Sequence, residues 1–169
     1  MQHMRATRKE CDMRVTTRTN LAVRILMYCA CNPGRLVTTA EISRSCNCSA
    51  HHAAHVVQQL HATGNIVTLR GRGGGIRLAK PMDRISIGSV MRQFEANIPI
   101  AECFDPDTNT CPLAPICRLH SYLARAQEAF FHELDMVTLQ DLVQGNCGLS
   151  ELLGMRPALP RACASAAAS

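Results

Sequence analysis

The chain has 169 residues, of which 47% are hydrophobic and 18% charged, and this composition predicts a single globular domain without a membrane span. Its first residues lack the apolar run of a secretory signal, so we expect a cytoplasmic protein. Residues 1–80 carry 12 Lys or Arg against 3 Asp or Glu, and residues 81–169 carry 6 against 10. A basic half therefore precedes an acidic half. The basic half suits binding to a polyanion, and the alternative is a basic face that is simply solvated.

The first part of the chain predicts two short helices joined by a tight turn. Residues 1–12 are polar and aperiodic and predict a flexible arm. Apolar residues then recur at helical spacing over 19–29. Thr39 is expected to cap a short helix over 40–45, and a second helix follows over 50–62. Helices separated by so short a turn predict a helix-turn-helix.

The next segments predict a β-hairpin. Residues 66–70 and 76–80 are rich in β-branched side chains, and the glycines between them permit the positive φ values of a tight turn. A hairpin after a helix-turn-helix predicts a winged helix. Arg70 and Arg72 lie at the tip, where they can reach phosphates or a minor groove. A nucleotide-binding loop is the alternative, but no Gly-Lys-Ser/Thr follows.

The second half predicts helices outside the basic region. A helix beginning near Ser86 completes a DNA-binding domain over 13–95, and a dimerisation helix with a short following helix occupies 118–145. Residues 146–169, rich in Ala and Ser, predict a mostly disordered tail. The fold class is therefore mainly α with a small β-hairpin. The long helix calls for a second copy of the chain because apolar side chains recur every three or four residues at Leu119, Leu123, Ala126, Phe130 and Leu134.

Ten cysteines in a chain without a secretory signal favour metal ligation or thiol chemistry over a disulfide framework. Cys103, Cys111 and Cys117 lie in a proline-bearing loop over 96–117 that leads into the long helix. They lack the close Cys-x-x-Cys pair typical of zinc, and their wide spacing suits an iron-sulfur cluster, [2Fe-2S] or [4Fe-4S]. Zinc, structural thiols and redox thiols remain alternatives. The other seven are interpreted as ordinary thiols, with redox chemistry in the Cys46-Asn-Cys48 turn as the alternative.

The second helix of a helix-turn-helix enters the major groove with its N-terminal part. Its outward residues are predicted to contact DNA together with the wing arginines. His51 and His55, one turn apart, could instead chelate a metal, but no third ligand lies nearby in the sequence. The predicted DNA contacts are Ser49, His51, His52, His55, Arg70 and Arg72. Neither serine nor carboxylate constellations suggest hydrolysis, so we do not expect an enzyme.

Four motifs in order resemble the Rrf2 family of winged-helix regulators, and the similarity runs from residue 13 to about residue 153. They are RVT at 14–16, RGRGGGIRL at 70–78, IGSV at 87–90 and CPLAPICRL at 111–119. The resemblance implies a bacterial homodimer that binds pseudo-palindromic double-stranded promoter DNA. It also implies an iron-sulfur cluster held by Cys103, Cys111 and Cys117.

Within the family the resemblance is strongest to nitric-oxide-sensing repressors, through the cysteine loop and the residues 134–143. Residues 19–24 and 101–104 are similar to the iron regulators of rhizobia. The alternatives are therefore an iron-responsive regulator, a regulator that reports cluster status, and a clusterless or zinc-stabilised regulator. The resemblance offers two candidates for a fourth ligand. Asn20 stands where nitric-oxide sensors have an acidic residue, and His120 where cluster-assembly regulators have a histidine.

Overall fold

A computed structural model describes residues 15–153, which form seven α-helices and one two-stranded antiparallel sheet. The predicted class, mainly α with a small hairpin, is confirmed. The predicted arm over residues 1–12 and residues 154–169 of the predicted tail lie outside the described residues. The elements are α1 Thr17–Ala30, α2 Thr39–Ser45, α3 Ala50–Ala62, β1 Ile66–Leu69, β2 Gly75–Leu78, α4 Ile87–Glu95, α5 Arg118–Asp135, α6 Leu139–Val143 and α7 Cys147–Leu152.

Hydroxyl side chains cap the helices of the winged-helix region. Thr16, Ser49 and Ser86 each accept a hydrogen bond from the backbone N–H three residues on, at the starts of α1, α3 and α4. Helix α2 begins one residue earlier than the sequence predicts. Its cap is Thr38, because the Thr38 hydroxyl and the Glu41 carboxylate satisfy each other's backbone N–H groups in a capping box.

The hairpin pairs Ile66 with Leu78 and Val67 with Arg77. A single bridge residue also pairs with it, since Val37 and Ile76 exchange two backbone hydrogen bonds of 2.9 and 2.8 Å. The close approach is possible because Gly75 has no side chain; a Cβ there would lie 2.9 Å from the carbonyl oxygen of Val37. The base of the wing is therefore tied to the segment between α1 and α2.

The core lies where α1, α2 and α3 meet under the sheet. Apolar residues of all three helices are fully buried, and they occupy the inward faces that helical spacing predicts. This packing fixes the direction in which α3 presents its opposite, polar face. Those core residues include Leu21, Ile25, Leu26, Ile42, Ala53, Val56 and Leu60.

Helices α4 and α6 extend this core, and a backbone bridge pairs the segments that precede them. Ser86 and Thr138 form an antiparallel bridge, with bonds of 2.9 Å from the Ile87 N–H to the Val137 carbonyl and from the Leu139 N–H to the Ile85 carbonyl. Helix α7 lies within the tail that the sequence predicts to be mostly disordered. None of the helices in residues 15–153 is long and apolar enough to cross a membrane.

Candidate DNA-binding surface and cysteine loop

The exposed face of α3 lines a shallow groove of about 460 Å³. Arg18, from the first turn of α1, forms its other side. His51 and His55 are exposed in this groove and His52 is half-buried, so the structure brings three of the predicted DNA contacts together. The lining consists of Arg18, His51, His52, His55, Gln58, Gln59 and Ala62.

The polar groups of this groove differ in how they are engaged. The imidazole rings of His51 and His55 meet edge to face with centroids 4.7 Å apart. Ser49, a further predicted contact, accepts the His52 N–H at 3.1 Å and so acts as the cap of α3. Gln58 was missed from the sequence, although its spacing from His51 and His55 places it on the same helix face.

The turn between α2 and α3 sets the direction of α3. Asn47 adopts a positive φ of 48° there, a conformation that asparagine tolerates better than most residues. Arg24 of α1 donates to the Cys46 carbonyl at 2.8 Å, and the Ser43 hydroxyl donates to the Cys48 carbonyl. These bonds anchor both ends of the turn to neighbouring helices.

The thiols next to this turn are poorly suited to redox chemistry. Burial, reinforced by the neighbouring Cys46 thiol, raises the pKa of Cys29 to about 12. Burial and the Cys48 thiol raise the pKa of Cys46 to about 11, against a smaller lowering by Arg24. Because the thiolate is the reactive form, both remain inert near neutral pH. These properties favour the interpretation of Cys29 and Cys46 as ordinary core thiols.

Arg70 and Arg72 are exposed at the tip of the wing. Gly71 and Gly73 flank Arg72 with φ values of 97° and 77°, which side chains other than glycine rarely allow. At Gly74 a Cβ would overlap the carbonyl oxygen of Leu69. The glycines thus give the tip a compact backbone with both arginines exposed.

The cysteine loop, residues 96–117, is held by side-chain turns. The Asp105 carboxylate accepts the Thr108 hydroxyl at 2.8 Å and the Asp107 N–H at 3.1 Å, and these bonds lower its pKa. Asn109 accepts the N–H of Cys111 at 3.0 Å. Asx turns of this kind add to two short 3-10 helices, Glu102–Phe104 and Ala114–Ile116, in a loop without α-helix or strand.

The three loop cysteines have the right chemistry for a soft metal centre. Cys103, Cys111 and Cys117 are free thiols, none of them fully buried. Cys117 occupies the N-cap position of α5, where unpaired N–H groups favour a negatively charged group. Within residues 15–153 no three His, Cys, Asp or Glu side chains are already gathered as a metal site. The donor set therefore fits an iron-sulfur cluster in kind.

The two candidates for a fourth ligand occupy different elements. His120, in the first turn of α5, stacks on Phe104 with centroids 4.1 Å apart and an interplanar angle of 14°. Because Phe104 follows Cys103, this stacking holds the imidazole against the cysteine loop. Asn20 is exposed in the first turn of α1.

Helices α4 and α5 are joined by an arginine that the sequence does not single out. Arg92 forms a two-pronged ion pair with Glu128, at 2.7 and 2.9 Å, and a third bond of 2.8 Å to Asp135. These bonds raise the pKa of Arg92, and the same contact with Arg92 lowers the pKa of Glu128. The guanidinium also lies 4.9 Å from the centroid of the Phe131 ring. The winged-helix region is thereby clamped to the helix that follows the cysteine loop.

Glu95, at the end of α4, joins the cysteine loop to α1. Its carboxylate accepts the backbone N–H and the hydroxyl of Thr16, each at 2.9 Å, and also the hydroxyl of Thr19. The loop begins at the next residue, while Arg18 of the groove lies between the two threonines. Sequence reasoning missed this contact, because a long-range side-chain bond leaves no periodic signal.

Comparison with known proteins finds a family with this arrangement. The profile of the Rrf2 family, described as "Iron-dependent Transcriptional regulator", matches residues 15–145. The HTH-type transcriptional regulator NsrR of Halalkalibacterium halodurans is 39% identical over 146 residues, which cover 86% of this chain and 100% of that protein. Protein aau3 of Rhizobium meliloti is 38% identical over 154 residues, or 90% of this chain and 100% of that protein.

A similar fold occurs among solved structures. The structure titled as CymR (YrzC), the global cysteine regulator of B. subtilis, superposes with a TM-score of 0.60 and covers 78% of this chain and 97% of its own. At 24% sequence identity this likeness concerns the fold alone. It confirms the predicted winged-helix architecture.

Proposed function

Since the chain belongs to the Rrf2 family of transcriptional regulators, we propose that it is a DNA-binding repressor that senses nitric oxide through an iron-sulfur cluster. As the names of its relatives indicate, it is a regulator and not an enzyme. The proposal retains the division into a DNA-binding domain over 13–95, a cluster-binding loop over 96–117 and a dimerisation unit over 118–145. The observation that carries it is the set of three free thiols in the loop that leads into α5.

DNA binding is assigned to α3 and the wing. His51, His52 and His55 would face the major groove, while Arg70 and Arg72 would reach the backbone or the minor groove beside it. Ser49 would contribute mainly by fixing the first turn of α3. Because arginines that contact phosphate release counterions, Arg72→Gln should lower the slope of log affinity against log salt by about 1.

Two copies of the chain would bind the two halves of a pseudo-palindromic site. The support is the apolar face of α5 that stays exposed, with Leu119 at 60%, Tyr122 at 59% and Phe130 at 47% of their full exposure. A face of this kind on a monomer marks an interaction surface. A second copy of the chain would cover this face in a two-fold interface, and the two-fold symmetry matches that of pseudo-palindromic DNA sites.

The cluster would be held by Cys103, Cys111 and Cys117, with His120 or Asn20 as the further ligand. When bound, the cluster would supply a reactive iron centre that nitric oxide can modify. The chain's part is to transmit the change. The loop leads into α5 at Cys117, Arg92 clamps α5 to α4, and Glu95 ties the start of the loop to α1. A loop that closes or opens would thereby bias the position of the two α3 helices.

Anaerobic purification, iron and sulfide analysis, and selection of a binding site from a random duplex pool test this proposal. We expect iron and sulfide in the pure protein, a selected palindrome, and loss of gel-shift binding on addition of nitric oxide. Cys111→Ala should remove the visible absorbance of the cluster and the nitric oxide response. A full response in that variant would contradict the proposal.

A second candidate is an iron-responsive regulator, favoured by the description of the family as iron-dependent. In that case chelation of iron should release DNA as effectively as nitric oxide does. Protein that contains zinc or no metal and binds the same palindrome would instead indicate the clusterless alternative.

A further inference from the structure

We propose that the groove between Arg18 and the imidazoles of α3 binds a phosphate of the DNA backbone through protonated histidines, so that DNA binding takes up protons and tightens as the pH falls. This inference rests on the proposed DNA-binding function and specifies how one part of the surface works. It assigns His51 and His55 to phosphate rather than to base edges, and it adds Arg18 to the contact surface.

The lining of the groove suits an anion. It combines the guanidinium of Arg18, three imidazoles and two side-chain amides, and it contains no carboxylate. The amide of Gln59 is partly engaged, because its Nε2 donates to the Gln93 carbonyl at 3.4 Å. The side chain of Gln58 is exposed at the rim. A phosphodiester is the anion that a DNA-binding face meets most often.

The charges around α3 leave the imidazoles without an acidic partner. On α1 the group that faces them is Arg18. On α2, Glu41 is paired with Arg35 at 2.6 Å and the Arg44 guanidinium donates to the Ala40 carbonyl. Strand β1 carries no titratable side chain. On α4, Gln93 is neutral, and the Glu95 carboxylate is engaged by Thr16 and Thr19.

Close packing of cations couples protonation to phosphate binding. Rings 4.7 Å apart at His51 and His55, with Arg18 in the same groove, repel each other when protonated. A bound phosphate instead favours the protonated form of the histidines, because each imidazolium then faces an opposite charge.

Linkage gives the size of the effect. Each proton taken up on binding raises the association constant about tenfold per pH unit, over the range in which the free protein is unprotonated and the complex is protonated. With one to two protons per subunit, affinity for DNA should rise at least about tenfold from about pH 8 to about pH 6. Base-edge contacts by neutral imidazoles would give no such rise.

The test uses the anaerobically purified full chain and a short duplex of fixed, nonspecific sequence, because phosphate contacts do not depend on sequence. Affinity is measured at about pH 6 and about pH 8 at one salt concentration, with the cluster absorbance recorded at each pH. Calorimetry at about pH 7 in two buffers of different ionisation enthalpy counts the protons taken up.

The wild-type protein should show net proton uptake and the rise in affinity. The double variant His51→Gln/His55→Gln should lose most of the rise, measured as the ratio of affinities at the two pH values. His132→Gln, which removes an exposed histidine of α5, should keep it. Equal wild-type affinity at both pH values, or an unchanged ratio in the double variant, would overturn the inference. Failure of the proposed function is distinct, since it would appear as the absence of any selected palindrome.

Discussion

At Gly88 the backbones of α4 and α5 come so close that no side chain fits between them. A Cβ at this position would lie 2.5 Å from the backbone nitrogen of Asp135 and 2.7 Å from the carbonyl oxygen of Phe131. Both atoms belong to the backbone, so neither can yield by changing a rotamer. The residue type at position 88 therefore sets the distance between the two helices.

We expect Gly88→Ala to lower the free energy of unfolding by about 1–3 kcal/mol, the cost of overpacking a well-packed contact. Urea unfolding at neutral pH measures it. The matched control is Gly148→Ala in α7, where a Cβ would meet no heavy atom within 4 Å. That variant should be neutral or slightly stabilising, because alanine is the better helix former. Equal losses in both variants would contradict the close approach.

Glu41 makes the stability of the helix-turn-helix depend on pH. The backbone N–H of Thr38 and the Arg35 guanidinium, in that order, lower the pKa of Glu41 from 4.5 to about 2. Because the folded pKa lies below the unfolded one, the contribution is present above pH 4.5 and is lost as the pH falls towards 2.

We expect Glu41→Ala to cost about 1 kcal/mol at neutral pH, the usual value of a helix cap, and progressively less below about pH 4.5. Chemical unfolding at several pH values follows the difference. Arg35→Ala removes a solvent-exposed ion pair and exposed bonds to Asn32 but leaves the capping box intact, so it should cost less. A loss in Glu41→Ala that stays constant into acid would show that the charge of Glu41 is not its source.

The clamp between α4 and α5 works at the scale of whole elements. Arg92 contributes two bonds to Glu128 and one to Asp135, and all three groups are accessible to water. Salt screens such pairs, whereas it leaves the packing of Phe131 in place.

Arg92→Gln should lower the midpoint of thermal unfolding at low salt, and the deficit should shrink at about 1 M salt, where charges are screened within a few ångströms. Scanning calorimetry at both salt concentrations measures this. The control is Arg125→Gln, a change of the same type at an exposed arginine of α5 that lies near Tyr122 of that helix. A deficit that does not respond to salt would assign the role of Arg92 to packing instead of charge.

Local sequence signals predicted most of the helices and strands. The features that these signals missed are contacts between residues far apart in the chain. Ser49 and Ser86 marked the starts of α3 and α4 because caps act on residues three positions away. The bonds of Glu95 to Thr16 and of Arg92 to Glu128 join residues far apart in the chain, so no local pattern encodes them. Among the site residues, the groove gathers the histidines with Arg18, a partner that only folding reveals.

Helix α5 shows the same limit in a single element. The sequence identified its apolar stripe, including Phe130, and the fold buries the neighbouring Phe131 against α4 instead. The two faces of the helix lie about a quarter turn apart, one for its own chain and one left exposed. Periodicity finds apolar faces, but it does not tell which one the chain itself will cover.

At the scale of the whole molecule, the exposed face of α5 determines the oligomeric state that we propose. The double variant Leu119→Glu/Phe130→Glu places carboxylates on that face and should yield monomers in sedimentation velocity. It should also bind a palindromic duplex more weakly than the wild-type protein does, because the two half-sites are then no longer bound by one linked dimer. Ser121→Glu adds the same charge on another side of the helix and should leave the dimer intact. Dimers in the double variant would place the interface elsewhere.

The bridge between Ser86 and Thr138 gives the chain a further property. Helix α4, the cysteine loop and α5 all lie between these two residues, which are held side by side by the backbone bonds of their neighbours. The two ends of this segment therefore lie side by side, while α4 between them packs against α1. In engineering terms the segment is a cassette with adjacent ends, and Glu95 is its main polar contact with α1. Exchanging it between relatives at residues 86 and 138 should transfer responsiveness to a different signal while the choice of DNA site stays with the recipient.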